Sequence, residues 1–280
     1  MPYRHAHYWL IALFPLILLS FWPGYFGHFT SARPAQHAHG MTAIAWLALL
    51  VIQSWSAHTR RVAWHRAAGF AVFAIVPLFA AAGMFAVRDM AAEMNAGSPF
   101  EAFAAPALAP DDLSSIVAFV SFVTAALATR RRGRRHAAWM LATALLILPP
   151  LTTRLLQVVA RITAIEAPSL WTSFVLGTLV SMGIALFLAY SRREDARPFI
   201  VLALLCMVKI GCYPIFEANA GWRGLLAALG NSPPIPSAAA AAAVSLAALI
   251  FAWRSVPPKC RVVPRQSTIP RTAAPGQLRP

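Results

Sequence analysis

Residues 113–151 read LSSIVAFVSFVTAALATRRRGRRHAAWMLATALLILPPL. The first part is an unbroken apolar run of the length a bilayer-crossing helix needs, about 20 residues. Arg130, Arg131, Arg132, Arg134 and Arg135 then crowd a short turn, and a second apolar run follows. Two apolar runs joined by a turn too basic to be translocated readily make a membrane hairpin. This hairpin sets the class of the whole chain and fixes the side of the membrane on which the turn lies.

The same grammar extends in both directions. Apolar segments bounded by charges or Pro/Gly clusters lie at 8–26, 41–58, 67–87, 112–129, 137–158, 169–190, 198–216 and 236–253. The expected fold is an all-α, polytopic transmembrane helix bundle of about eight helices, filling residues 1–254. The tail, 255–280, is rich in Pro and Arg and lacks apolar periodicity, so it is expected to be disordered. Composition agrees: 59% of the residues are hydrophobic and 12% charged, against roughly half and a quarter in a soluble domain. The first segment could also serve as a signal peptide, with Arg4 ahead of it and Thr30-Ser31-Ala32 as a poor cleavage site. Trp22, Tyr25, Phe26 and Phe29 read instead as the aromatic belt of a retained helix.

Charge supplies the orientation. If the segments alternate across the membrane, most of the 24 Lys and Arg fall on one side. They sit in the turns after segments two, four and six and in the tail. The positive-inside rule then places both termini in the cytoplasm of a bacterial inner membrane. The net charge of +15 needs no nucleic acid to explain it, because no basic face carries interleaved aromatics. Basic loops and tail are expected on anionic lipid headgroups. The stretch 88–111, with Asp89, Glu93, Glu101, Asp111 and three prolines, reads as an acidic external loop. Cys206, Cys212 and Cys260 form no CxxC pair, so neither a disulfide framework nor a thiolate metal site is indicated.

Ionisable groups at membrane depth are the default functional candidates. His65 and His136 open two segments at the same level, each after a basic turn: Thr59-Arg60-Arg61 precedes His65, and Thr129-Arg130-Arg131 precedes His136. This weak internal repeat suggests two equivalent hairpins. Two histidines at one depth on neighbouring helices suit the axial ligands of a haem b, with Arg154 for an anionic group. The bland alternative is that both rings rest at the headgroup boundary. On the other side, His39, Arg154, Lys209 and Glu217 suggest an outward-facing polar pocket, with Lys209–Glu217 or Arg154–Glu166 as ion pairs. His37 and His39, alternate residues with His28 nearby, could face one metal ion if that stretch is extended. His5 and His7 read as a solvated terminus and His58 as a headgroup contact. Pro77, the Pro149-Pro150 pair and Pro214 are expected to kink or end their helices.

His65-Arg66-Ala67-Ala68-Gly69 resembles the His-Arg-x-x-Gly that opens a helix in a group of uncharacterised bacterial polytopic membrane proteins. His136-Ala137-Ala138-Trp139-Met140, with Thr153-Arg154-Leu155 later in the same segment, resembles that group's second signature, His-x-x-Trp-Met followed by Arg. His39-Gly40 with Trp46 and Gln53 is similar to a third stretch in some members. The resemblance spans about residues 37–158 and departs at Ala137, where a basic residue is usual. It implies a membrane-resident helical bundle and no particular activity. Three functions stay open: a haem- or quinone-associated redox or assembly protein, a small-molecule transporter or binder using the outward pocket, and a non-catalytic membrane scaffold. No nucleotide loop, catalytic triad or zinc-protease helix is present, so the sequence assigns no reaction.

Overall fold

The computed structural model describes residue 3 and residues 5–256. The expected tail therefore lies, from residue 257 on, outside the described residues. Eleven α-helices make up the described chain: α1 (Ala6–Phe21), α2 (Pro34–His58), α3 (Val62–Gly69), α4 (Val72–Asn95), α5 (Pro99–Ala128), α6 (Gly133–Leu145), α7 (Leu148–Thr163), α8 (Leu170–Ser191), α9 (Arg197–Ala218), α10 (Ala220–Asn231) and α11 (Pro234–Arg254). Taking α3 with α4 and α6 with α7, seven helical spans are long and apolar enough to cross a membrane; α1 is apolar but shorter. The all-α polytopic architecture is as a multi-pass membrane protein requires.

Helix α8 shows how the bundle is built for lipid. Its buried positions are Ser173, Phe174, Gly177, Thr178, Ser181, Ala185 and Ala189, while Leu176, Leu179, Val180, Leu186 and Phe187 point outward. Small residues let helix backbones approach, and the large apolar ones are left for the acyl chains. A water-soluble helix would reverse that pattern. At the centre, α5 packs on α4, α6, α9 and α11, and α4 also carries α2, α10 and α11.

The Pro149-Pro150 pair breaks the fifth apolar segment as expected, at Leu146 and Ile147 between α6 and α7. Neither proline can donate to the carbonyl four residues earlier. The Leu145 carbonyl, freed in this way, accepts from the Ser181 hydroxyl of α8 at 2.8 Å. Gly177 lets α8 come that close, since a Cβ there would lie 2.6 Å from the Pro149 carbonyl oxygen. Pro77 and Pro214 sit inside α4 and α9, which continue through them.

Two parts differ from the sequence reading. The expected acidic loop 88–111 is mostly helix: α4 runs on to Asn95, and α5 starts at Pro99 with Pro106 and Pro110 inside it. Its charges are met within the fold. Arg33, which caps α2, pairs with Asp89 at 2.7 Å and Glu93 at 3.3 Å. The other difference is α10, a short helix that fills the end of the bundle. Leu226 is buried there against Val87, Ala91, Ala105 and Ala109, with Trp222 and Leu229 beside it.

Candidate functional site

The two basic turns lie at one end of the bundle, and α3 and α6 rise from them. Each histidine is held the same way. His65 Nδ1 lies 3.3 Å from the Gln53 carbonyl of α2, and His136 Nδ1 lies 2.9 Å from the Ala126 carbonyl of α5. A carbonyl only accepts, so each ring is the tautomer that donates from Nδ1. In a neutral ring held this way, Nε2 carries the lone pair and is unused by these bonds. The Gln53 side chain adds a second clamp by donating from Nε2 to the His65 carbonyl at 3.1 Å. The sequence repeat is thus matched by one hydrogen-bond device used twice, each histidine reaching back to the helix before its own turn.

The two rings meet edge-on, with centres 6.5 Å apart and planes at 78°. Both line a cavity of about 570 Å³. Its walls are chiefly apolar, including Leu49, Leu50, Phe70, Val72, Leu127 and Trp253. Two arginines reach the same cavity and are used differently. Arg130 is committed to the protein: it donates to the carbonyls of Leu127, Trp253 and Val256 at 3.2, 2.8 and 2.8 Å, and stacks on the Trp253 ring. Arg66, next to His65, has no partner among the described residues and is exposed. Tyr3 also lines the cavity, and burial, then the Asp195 carboxylate, push its phenol up to about 12. It therefore stays neutral at physiological pH.

Arg154, expected beside these histidines, does not line this cavity. It stands in the other half of the bundle with His39, Glu101 and Asp112, all within its electrostatic reach. Arg154 and Asp112 are both exposed. The guanidinium stacks on Phe21 at 4.6 Å and donates to the Pro150 carbonyl at 3.3 Å. Of the expected outward pocket, His39 and Arg154 are together. Lys209 is adjacent but neutralised: its ammonium lies 2.8 Å from Asp111 and donates to the Ser115 hydroxyl. The expected pairing with Glu217 is therefore replaced by Asp111. Glu217 sits at the end of α9, where its backbone carbonyl accepts from Arg223.

The paired-histidine metal reading fails on geometry. His37 and His39 lie within α2, not on an extended chain, and two residues is about 200° around a helix. His37 turns to Tyr25, whose hydroxyl is 2.9 Å from its Nδ1, and His39 turns to Phe79. Among the described residues, no group of three or more His, Cys, Asp or Glu side chains is placed to hold a metal ion. Of the amino-terminal histidines, His5 is exposed as expected, whereas His7 differs. His7 is buried, with its ring centre 5.2 Å from that of His58, because α1 packs on α2.

Sequence reasoning missed the acids Asp111, Asp112 and Glu101 as site residues. Their signal was present: two adjacent carboxylates at the head of an apolar run point about 100° apart on a helix, towards two different neighbours. Asp111 meets Lys209 of α9, and Asp112 lies within electrostatic reach of Arg154. No family model, no curated protein and no solved structure matches the chain.

Proposed function

We propose that the chain is a membrane redox protein that binds one haem b between His65 and His136. The observation that carries this reading is the ring pair: two imidazoles 6.5 Å apart, each anchored through Nδ1 to a backbone carbonyl, on one apolar cavity. Metal-binding histidines characteristically donate their second ring nitrogen in this way, which fixes the tautomer and raises ligand basicity. Bond lengths of about 2.0–2.1 Å, and about 1.1 Å more from nitrogen to ring centre, put trans imidazoles about 6.3 Å apart and a tetrahedral pair about 5 Å apart. The observed spacing exceeds that of a tetrahedral pair, and His65 and His136 would hold one haem iron between them, which would supply one-electron chemistry. The wall is apolar as a porphyrin face needs, and Arg66 is free to meet a propionate.

The arginine-rich turns orient the bundle with this cavity and both termini at the cytoplasmic face of a bacterial inner membrane. The same turns would rest on anionic lipid headgroups. Haem titration into detergent-purified apo-protein tests the reading. One haem per chain is expected in the wild type, with weakened, five-coordinate binding in His65→Ala and in His136→Ala. Equal binding and equal spectra in all three proteins would dismiss the ligand assignment.

A further inference from the structure

The two histidine tethers are alike, but the helices that carry them are not. Helix α6 is built into the bundle: Ala138, Trp139, Ala142, Thr143 and Ala144 are buried, and it packs on α5 and α9. Helix α3 has no buried residue, and among the described residues its only substantial packing partner is α2. The tethers differ in the same sense. His136 Nδ1 is 2.9 Å from its carbonyl, and His65 Nδ1 is 3.3 Å from its own. Among the described residues, the hydrogen bonds from α2 to α3 all run through Gln53. Its backbone carbonyl accepts from the His65 ring, and its side-chain amide donates to the His65 carbonyl at 3.1 Å.

Both ends of α3 are built to turn. In the turn before it, Arg60 has a φ of 59°, a left-handed conformation uncommon for any residue but glycine. The matching turn before α6 holds no such residue. At its other end, Gly69 closes α3, and Phe70 and Ala71 step to α4 on short-range bonds. The Phe70 N–H donates to the Ala67 carbonyl at 3.3 Å, and the Ala71 N–H to the Ala68 carbonyl at 3.0 Å. Such three-residue bonding between two stretches of α-helix marks a hinge. His65, Arg66 and Gly69 all line the histidine cavity, so α3 is one of its walls. Trp64 beside them is exposed, as suits a residue at headgroup level.

We propose that His65 is the exchangeable member of the ligand pair, that Gln53 is the residue that positions it, and that α3 is the gate by which the cavity is loaded and emptied. The proposal rests on the haem reading and deepens it. His136 is the fixed ligand, and the site takes up and hands on a planar amphiphile with an apolar face and an anionic edge. Opening α3 breaks the two Gln53 bonds and withdraws no buried side chain. Because His65 and Arg66 are adjacent on α3, one movement takes both the imidazole and the free guanidinium out of the cavity wall. The same movement of α6 would pull Trp139 and Ala142 from the core they share with Phe122 and Phe199. The passage is therefore one-sided.

The experiment takes two readings on the full chain in detergent. The first is amide hydrogen exchange with no hemin added. Residues 62–69 are expected to exchange faster than 133–145, and Gln53→Leu should speed 62–69 further while leaving 133–145 unchanged. The second is hemin release into excess apomyoglobin. Gln53→Leu removes the side-chain bond alone and should speed release about 3–10-fold, the worth of one hydrogen bond, with hemin stoichiometry unchanged. Gly69→Ala should slow release by stiffening the hinge, since its Cβ meets Gln53 only in ordinary contact at 3.8 Å. Gly133→Ala, at the start of α6 with open space around it, should release at the wild-type rate. Equal exchange in the two helices, or release indifferent to Gln53→Leu and Gly69→Ala, would overturn the gate and leave the haem reading intact. If hemin does not bind, the haem reading falls instead, and exchange alone decides the gate. A Gln53→Leu effect confined to 62–69 then supports it, and the lack of such an effect removes it.

Discussion

Lys209→Met tests the placement of charge inside the bundle. Lys209 lies 12 residues into α9, about 18 Å along the helix. Its side chain is 4% exposed and that of Asp111 is 12% exposed. At 2.8 Å and an effective dielectric of about 20, the gross attraction is about 6 kcal/mol. Desolvation of both ions offsets much of that, yet removing one partner strands the other. Each single variant, Lys209→Met and Asp111→Asn, should therefore cost about 3–5 kcal/mol of stability. The double variant strands no charge and should cost far less than the sum, giving a coupling of about 2–3 kcal/mol. The assay is reversible unfolding in mixed micelles, with all three variants measured under one condition. Additive losses would refute the pairing, and a tolerated Asp111→Asn would mean that the ammonium is satisfied elsewhere.

Gly177→Ala should destabilise the bundle by about 1–3 kcal/mol, because its Cβ would meet the Pro149 backbone. Gly183→Ala, on the same helix with open space around it, should be neutral or slightly stabilising, and thermal denaturation of the pair separates the two. Ser181→Ala orphans the Leu145 carbonyl at the helix break and should cost about 1–3 kcal/mol, read in the same unfolding assay. Arg66→Gln should weaken haem retention without lowering stability, whereas Arg130→Gln should lower stability by loosening α11 from α5. Haem off-rates and melting temperatures of both variants check that division of labour.

The apolar runs and the basic turns were readable because lipid imposes a length and translocation imposes a charge sign. The break at Pro149-Pro150 was readable because a missing N–H has a local consequence. Helix α10 was not, because its apolar face becomes meaningful only against α4 and α5. The stretch 88–111 misled for a related reason. Its charges and prolines read as solvent-facing loop, but Asp89 and Glu93 are spent on Arg33, Pro99 opens α5, and the helix continues through Pro106 and Pro110. His65 and His136 were visible as a pair of equal depth, while their approach and their shared tethering to carbonyls required the packing of α3 on α2 and α6 on α5. Arg154 was visible as a membrane charge and was expected both beside the histidine pair and in the outward pocket; the fold places it with His39, in the second. Nothing local in the sequence states which helix face it occupies, and its acidic neighbours Asp112 and Glu101 lie far from it along the chain.

The most direct measurement is a reduced-minus-oxidised absorbance spectrum of the protein purified from haem-sufficient cells, with His65→Ala and His136→Ala beside it. The account predicts a six-coordinate b-type spectrum at near-stoichiometric haem, lost or converted to five-coordinate in each variant. A colourless wild-type protein, or a haem spectrum indifferent to both substitutions, would contradict it.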